Sequence, residues 1–288
     1  MILQTPVEIN PIDNKISYRS NLLFMGSCFA SDIGRIMQNL DFKITVNPFG
    51  VLYNPASIAS SIARLESGEP FSPQDIIVSD GLYTSFFHHS SFSRPTEEEF
   101  LENANGSLKQ SCEAFAAADT CVITLGTAWV YRHISRDIIV SNCHKIPASG
   151  FAREKLTTEQ VTDLLSSIVA RHPLKNWIFT VSPIRHLKDG AHGNQISKAT
   201  LLLAVENVVS RYGNAHYFPA YEIMMDELRD YRFYCDNMTH PTPQAVSYIF
   251  EKFCEFALDP SEKEALKQAQ KRYKAAAHIP MKNKKADA

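Results

Sequence analysis

The sequence predicts an α/β fold in which a mostly parallel sheet carries helices on both faces, with two insertions. Short apolar runs of strand length alternate with longer segments whose apolar residues recur at helical spacing. This alternation favours a parallel sheet, because parallel neighbours need a crossover between them. Four predicted strands also end in small or polar residues, at 26–27, 47–50, 126–127 and 182–183. In a parallel sheet these ends lie at one edge, where ligands bind.

In the first half of the chain, predicted strands and helices alternate, and one insertion interrupts the alternation. Pro55 suits the first turn of a helix, and Asp80-Gly81 between two apolar runs indicates a hairpin. Three glutamates at 97–99 favour the start of a helix. We predict, in order, an extended surface segment over 1–20, a strand over 21–26, a helix over 29–40, a strand over 42–46, a helix over 55–65, a hairpin inside an insertion at 66–93 and a helix over 95–117.

The second half repeats this pattern and contains the second insertion, at about 130–150. The capping-box pattern at 157–160 and Pro243 in a first-turn position each indicate where a helix begins. We predict, in order, a strand over 120–125, a short strand over 138–140, a helix over 157–170, a strand over 177–181, a loop over 187–194, a helix over 195–209, a short strand over 216–218 and helices over 221–228, 243–256 and 259–276.

We assign residues 1–258 to one domain and residues 259–288 to a C-terminal helix with a basic tail. The lysines of the tail are interpreted as a solvated helix face with a frayed end. A basic interaction arm is the alternative.

Composition indicates a soluble globular protein and excludes several classes. The chain has 288 residues, 44% of them hydrophobic, and a formal net charge of −2, which predicts neither a nucleic-acid nor a membrane partner. No apolar run is long enough to span a bilayer, and the N-terminus lacks the features of a signal peptide. Six scattered cysteines lack zinc-site spacing. We therefore expect a cytoplasmic protein with reduced thiols, no metal and no cofactor.

Ser27 occupies a special position in this pattern. A buried strand runs into Gly26-Ser27, and helical spacing begins directly afterwards. The hydroxyl would thus lie at the carboxyl end of a strand and at the N-terminus of a helix, where unpaired N–H groups gather. The alternative is that Ser27 only caps the helix.

A late loop adds the other groups that acyl transfer needs. His240 lies just before the helix that begins at Pro243, with Asn237 and Asp236 shortly before it. A serine nucleophile requires a base, and the base requires a third group that fixes its tautomer. Main-chain N–H groups near Ser27 and Gly50 could hold the oxyanion.

The sequence resembles the GSCFA family, which belongs with the SGNH/GDSL hydrolase-like proteins. The signature is Gly26-Ser27-Cys28-Phe29-Ala30, and the other matching blocks extend over about 20–255. These blocks are at 47–50, 125–131, 142–145, 180–186, 197–199, 231–234 and 240–241. The resemblance implies a flavodoxin-like three-layer α/β/α fold and esterase-type chemistry.

The resemblance also implies roles for individual residues. Ser27 matches the nucleophile, His240 matches the base, and the N–H groups of Ser27 and Gly50 match oxyanion donors. SGNH enzymes have aspartate three residues before the histidine, where this chain has Asn237. Either Asn237 orients the imidazole, or Asp236 or Glu222 supplies a carboxylate.

A second departure concerns the third oxyanion donor. Where SGNH enzymes have an asparagine, this chain has Ala128. Donation could come instead from Thr127, from the Trp129 indole or from Asn142. The loss of one such donor typically costs a factor of about 10²–10³ in rate.

Further candidates surround this constellation. Arg185 and His186 follow a strand end and could bind an anionic substrate group. Asn142 and His144 could line the site from the second insertion. Cys28, at a helix N-terminus, is an alternative nucleophile.

Two adjacent histidines in the first insertion are not included among these candidates. We expect His88 and His89 to lie on opposite faces of the hairpin, as surface residues rather than metal ligands.

The function we expect is that of a serine hydrolase, or a related acyltransferase, acting on a small-molecule or glycan ester through an acyl-serine intermediate. The alternative is a catalytically impaired SGNH-fold protein that binds a carbohydrate or acyl ligand.

Overall fold

The computed structural model describes residues 4–277. Within them the chain forms ten strands and eight α-helices. In chain order the strands are β1 (Leu22–Gly26), β2 (Ile44–Val46), β3 (Ile76–Ser79), β4 (Leu82–Ser85), β5 (Thr120–Leu125), β6 (Trp129–His133), β7 (Ile138–Val140), β8 (Phe151–Lys155), β9 (Asn176–Val181) and β10 (Ala215–Tyr217). The helices are α1 (Cys28–Asn39), α2 (Pro55–Ser67), α3 (Glu97–Ala117), α4 (Thr158–Arg171), α5 (Gly190–Val209), α6 (Ala220–Glu222), α7 (Pro243–Ala257) and α8 (Lys263–Ala277).

A five-stranded parallel sheet in the order β10-β9-β5-β1-β2 forms the middle layer. All residues of β1, β5 and β9 are buried, as expected for strands covered on both faces. One hydrophobic cluster packs α2, α3, α4 and α5 on one face, and a second packs α1, α7 and α8 on the other. The predicted three-layer α/β/α fold is confirmed.

Gly26 allows β1 to turn directly into α1. Its φ of +134° lies in the region that favours glycine, and a Cβ there would collide with the carbonyl of Thr124 on β5. The strand can therefore end in close contact with its neighbour, and Ser27 follows at once as the cap of α1.

Both insertions leave the central sheet and pack against each other. The first carries the antiparallel hairpin β3–β4, and the second forms an antiparallel sheet in the order β7-β6-β8. Phe86, Val140 and Phe151 form a small core between them. The sequence prediction contained only β7 of the second sheet and ended the insertion near 150. It missed β6 and β8, whose residues are mostly only half-buried.

Three other boundaries differ from the prediction. The polar segment 187–194 is not a loop throughout, because α5 already begins at Gly190. The N-terminal segment is not wholly on the surface, because Ile12 and Ile16 are buried in the cluster around α7. The predicted helix over 221–228 is α6 followed by a π-helical turn over Ile223–Glu227.

The C-terminal part begins with a 3₁₀ turn, Pro260–Glu262, and continues as α8. The tail at 278–288 lies outside the described residues. None of the helices that the structure describes is long and apolar enough to cross a membrane.

Candidate active site

Ser27 lies fully buried between the end of β1 and the first turn of α1. Its Oγ accepts a hydrogen bond from the Phe29 N–H at 3.3 Å, which is the capping bond that the alternative interpretation predicts. The same hydroxyl donates to Ser182 Oγ at 3.0 Å, across the sheet edge. Ser27 therefore caps a helix and is also tied to a second strand end.

Ser182, directly after β9, is a hydrogen-bond partner of Ser27 that was not among the predicted site residues. Its side chain is buried, and its Oγ accepts from the Ile184 N–H at 3.3 Å. The Ser182 N–H donates to the Leu125 carbonyl of β5 at 2.8 Å. The ends of β1, β5 and β9 are thus joined by hydrogen bonds at the nucleophile position.

Lys198 on α5 reaches the same edge from the helix layer and is buried. Its Nζ donates to the Gly126 carbonyl at 2.7 Å and to the Ser182 carbonyl at 2.8 Å. Burial, with a smaller contribution from nearby Arg185, lowers the pKa of Lys198 to about 7. Sequence reasoning included Lys198 in the block 197–199 but gave it no role, because a lysine in a helix ordinarily faces solvent.

The loop that carries His240 is attached to the end of β9. The Arg185 N–H donates to the Thr239 carbonyl at 3.1 Å, and the Cys235 N–H donates to the His240 carbonyl at 2.8 Å. His240 is half-buried. Among residues 4–277, Ser27 Oγ has hydrogen bonds to Ser182 and Phe29, and His240 is not one of its partners.

Asn237 and Thr239 both contact the His240 ring, and Thr239 Oγ1 lies 3.0 Å from its Nδ1. Asn237 Oδ1 accepts from the Thr239 N–H, the Thr239 hydroxyl and the His240 N–H, each at 3.0 Å. These three donors fix the amide orientation, so Nδ2 faces His240 Nδ1 at 2.9 Å. An aspartate in this place would accept a hydrogen bond from the Nδ1–H group, whereas this amide presents an N–H to Nδ1.

The other carboxylates proposed to support His240 lie elsewhere. Asp236 is exposed, and Glu222 accepts both of its bonds from the Tyr217 hydroxyl at 2.7 and 2.9 Å. Asp32 on α1, which sequence reasoning missed, is the carboxylate whose charge interacts with His240. Burial raises the pKa of Asp32, while Arg35 and His240 partly oppose that shift.

The predicted oxyanion donors are already paired. The Ser27 N–H donates to the Thr124 carbonyl at 3.1 Å, and the Gly50 N–H donates to the Asn47 carbonyl at 2.8 Å. In the first turn of α1, this leaves the Cys28 N–H as the amide without an acceptor among the described residues.

Thr127, the predicted third donor, is engaged as well. Its N–H donates to the Tyr53 carbonyl at 2.8 Å, and its Oγ1 lies 3.0 Å from Ser197 Oγ. The Trp129 indole Nε1 is buried without a partner among residues 4–277.

Arg185 and His186 are placed beside the strand ends, as predicted for residues after β9. Arg185 Nε is buried without a hydrogen-bond partner, and the guanidinium makes no ion pair with a carboxylate within the described chain. Burial lowers the pKa of His186 to about 4, with Lys198 adding to the shift. The His186 ring meets Tyr53 edge-on, with 5.9 Å between centroids, and its Nε2 is also buried and unpartnered among residues 4–277.

Asn142 and His144 make no side-chain hydrogen bond to the ends of β1, β5 or β9 within the described residues. Asn142 Oδ1 accepts from the His144 N–H at 2.9 Å, and His144 Nε2 lies 2.7 Å from the Ser85 carbonyl. Both side chains therefore make their hydrogen bonds within and between the two insertions, where His144 is buried.

His88 and His89 also differ from the prediction. They follow β4 rather than lying within it, and His88 is fully buried, not on the surface. Burial lowers the pKa of His88 to about 3. Its ring packs among aromatic side chains with centroid distances of 4.5 to 5.6 Å, namely Phe49, Phe71, Phe92 and Phe100.

Two further observations concern the thiol beside Ser27 and groups that could hold a metal ion. Cys28 Sγ lies 3.6 Å from the Tyr53 hydroxyl and is partly exposed. No group of three or more His, Cys, Asp or Glu side chains within residues 4–277 is arranged to hold a metal ion.

Comparison with known proteins identifies the family. The model of the GSCFA family matches residues 21–253 of the chain. The search of curated proteins finds no match.

Solved structures with a similar fold include two proteins of low sequence identity. One is a protein from Streptococcus pneumonia that carries a provisional description as a platelet activating factor, 12% identical over 81% of this chain and 83% of that chain, with a TM-score of 0.38. The other is a carbohydrate esterase family 2 enzyme with a carbohydrate binding domain from Corynascus thermopiles (Myceliophthora fergusii), 16% identical over 92% of this chain and 69% of that chain, with a TM-score of 0.38.

Proposed function

Because the chain belongs to the GSCFA family, we propose that it is a serine hydrolase, or a related acyltransferase, that acts on an ester through an acyl-Ser27 intermediate. The observation that supports the proposal is the position of the Ser27 hydroxyl, at the end of β1 and the start of α1. The loop that carries His240 is hydrogen-bonded through Arg185 to the segment after β9, which ends at the same edge of the sheet. This edge of a parallel sheet is where α/β proteins bind ligands.

In the proposed reaction, Ser27 Oγ attacks the acyl carbonyl carbon while His240 accepts the hydroxyl proton. The ester carbon–oxygen bond then breaks, and the proton passes from His240 to the leaving alcohol oxygen. Water, or another alcohol, attacks the acyl-serine in the second half and regenerates Ser27. His240 has to approach Ser27 when substrate binds, and catalytic hydrogen bonds often tighten only in that complex.

The remaining predicted residues receive supporting roles in this proposal. The Cys28 N–H is the free amide beside the nucleophile and replaces the paired Gly50 and Thr127 amides as oxyanion donor. Arg185, with a buried Nε that lacks an acceptor among residues 4–277, binds an anionic group of the substrate. The substrate class is a small-molecule or glycan ester.

A second function, ligand binding without turnover, is favoured by two observations. The Asn237 amide faces His240 Nδ1 with an N–H, and the Ser27 and Gly50 amides are already paired. A protein of this kind would bind a carbohydrate or acyl ligand at the same edge.

Labelling with a fluorophosphonate probe and turnover of p-nitrophenyl acetate distinguish the two functions. We expect the wild type to be labelled and to release p-nitrophenol, and Ser27→Ala to do neither. Cys28→Ala is the matched control, since it removes the adjacent alternative nucleophile and should still be labelled. Absence of wild-type labelling with probes of several acyl or alkyl chain lengths would leave ligand binding as the function. Labelling that is lost only in Cys28→Ala would make the thiol the nucleophile.

A further inference from the structure

Lys198 is held in a way that suits a neutral amine. Its side chain is buried, and its Nζ donates to two main-chain carbonyls, those of Gly126 and Ser182. A neutral amine has two N–H donors, whereas an ammonium has three. Two acceptors satisfy both N–H groups of the neutral form, but the third N–H of the charged form would have no oxygen or nitrogen acceptor among residues 4–277, which is costly.

Lys175, at the opposite end of β9, is a useful comparison within the same chain. Its Nζ donates to three carbonyls, those of Phe115, Ala116 and Ala118, at 2.7, 3.2 and 2.9 Å. Three acceptors match the three donors of an ammonium. The two lysines therefore differ in the number of acceptors that the fold provides.

The charged and titratable neighbours of Lys198 compensate a positive charge only weakly. Arg185, in the loop after β9, disfavours the ammonium, and His186 in the same loop is held neutral by its own burial. From α6 the ring of Tyr221 faces Nζ at 5.8 Å, a cation–π contact near the limit of its range that favours the ammonium slightly. No carboxylate within residues 4–277 forms an ion pair with Lys198.

The two carbonyls that Lys198 holds belong to the residues directly after β5 and β9. One of them is the carbonyl of Ser182, whose hydroxyl accepts the hydrogen of Ser27 Oγ at 3.0 Å. A rearrangement at Lys198 thus acts on the residue that orients the Ser27 hydroxyl. Displacement of a reacting group by about 1 Å can cost a factor of about 10² in rate.

We propose that Ser182 and Lys198 are positioning residues for Ser27, and that proton uptake by Lys198 switches the site from a reactive to an unreactive arrangement. This inference rests on the proposed function, because it concerns the reactivity of Ser27. The neutral amine keeps the ends of β5 and β9 together and leaves Ser182 Oγ in place for the Ser27 hydroxyl. The added proton gives Nζ a third N–H, which must draw in water or displace one of the carbonyls.

The test is the rate of fluorophosphonate labelling between pH 5.5 and 9 in wild type, Lys198→Met, Lys175→Met and Ser182→Ala. The ratio of the wild-type rate to the Lys198→Met rate should rise about 10-fold from pH 6 to pH 8. An amine with a pKa of about 7 is mostly charged at pH 6 and mostly neutral at pH 8. Lys175→Met should give a pH-independent ratio, and Ser182→Ala should label about 10- to 100-fold more slowly than wild type at pH 8.

A second measurement does not depend on labelling or on how well the variants fold. In wild-type protein carrying ¹³C-lysine, the Cε resonance of Lys198 should titrate near neutral pH, and titration near the ordinary value of about 10.4 would overturn the inference. A ratio of wild-type to Lys198→Met labelling rates that does not change with pH would also overturn this inference, while the proposed function would stand. Absence of wild-type labelling at every pH would instead overturn the proposed function, and this inference with it.

Discussion

At position 237 an amide stands where the SGNH pattern has a carboxylate, and its hydrogen bonds affect the tautomer of His240. Asn237 Oδ1 is used by three donors from Thr239 and His240, so only the Nδ2 side is left for the ring. An N–H directed at Nδ1 favours the tautomer that carries its proton on Nε2, whereas the Thr239 hydroxyl oxygen, 3.0 Å from Nδ1, can accept a hydrogen bond from the other tautomer. A general base for Ser27 needs the lone pair on Nε2.

We therefore expect Asn237→Asp to increase the rate of Ser27 labelling by at least about 10-fold. The carboxylate would accept a hydrogen bond from the Nδ1–H group and stabilise the imidazolium, and the reverse change in a serine protease costs a factor of about 10⁴. The rate of fluorophosphonate labelling at pH 7.5 measures the effect. Asp236→Asn is the control and should leave the rate unchanged, because Asp236 is exposed. A folded Asn237→Asp protein that is labelled no faster than wild type would contradict the interpretation that the Asn237 amide limits His240 as a base.

The lowered pKa of Lys198 also predicts how the stability of the protein depends on pH. Its pKa is about 7 in the folded protein and about 10.4 in the unfolded chain, so between these values the unfolded state binds more protons. The free energy of unfolding should therefore rise with pH, by about 2 kcal/mol between pH 7 and pH 9 from this residue. Urea unfolding of wild type and Lys198→Met at both pH values checks it: the increment should be absent in the variant and retained in Lys175→Met. An equal increment in wild type and Lys198→Met would show that Lys198 is not the source.

Sequence reasoning proposed Ser27, His240 and Asn237 as site residues because a strand end, a helix start and a short motif are local features. It did not find Ser182 or Lys198 as partners, because their contacts join residues that are 155 and 72 positions apart in the chain. It placed Asn142 and His144 at the site from their position in a family block. Their actual neighbours depend on how the two insertions pack, which local patterns do not encode.

At the scale of elements, the close contact between β1 and β5 depends on Gly26. We expect Gly26→Ala to lower the free energy of unfolding by about 3 kcal/mol or more, because the φ of +134° disfavours alanine and its Cβ would collide with the Thr124 carbonyl. Gly106 in α3 is the matched control, since a Cβ there has open space. Gly106→Ala should raise the free energy of unfolding by about 0.5–1 kcal/mol. Chemical denaturation measures both, and a Gly26→Ala protein as stable as wild type would show that β1 can end in another way.

The buried parallel strands were predictable because each is an apolar run that ends in small or polar residues. The strands β6 and β8 were not, because they belong to a small sheet with one exposed face and contain charged residues. The start of α5 at Gly190 was missed for a related reason. Two glycines make 190–194 a poor helix locally, but Asn194 is buried and its Oδ1 accepts from the His186 N–H at 2.8 Å, a contact that local propensity cannot show.

At the scale of the whole molecule, buried neutral histidines should make the fold sensitive to acid. Burial lowers the pKa of His88 to about 3, against an ordinary value of about 6.5, so the unfolded chain binds the extra proton as pH falls below 6.5. The stability that His88 contributes is complete above pH 6.5 and is lost progressively towards pH 3. We expect this residue alone to lower the free energy of unfolding by about 2 kcal/mol between pH 7 and pH 5.

Urea unfolding of wild type and His88→Leu at pH 7 and pH 5 measures this contribution. The variant should lose less stability on acidification, even though it is less stable at pH 7 because Ser85 loses its partner at 2.7 Å. His192→Leu is the control, since His192 lies on the exposed part of α5. An equal loss of stability in wild type and His88→Leu would assign the acid sensitivity to other groups.

The fold collects the ends of β1, β5 and β9 at one edge and brings the His240 loop and Lys198 to them. The central claim is that Ser27 receives an acyl group at this edge. Peptide mass spectrometry after brief reaction with p-nitrophenyl acetate and acid quenching tests it most directly. An acetyl group on the peptide that contains Ser27, removed on further incubation and absent in Ser27→Ala, is the predicted result. A wild-type protein that releases no p-nitrophenol and carries no acetyl group on Ser27 would contradict it.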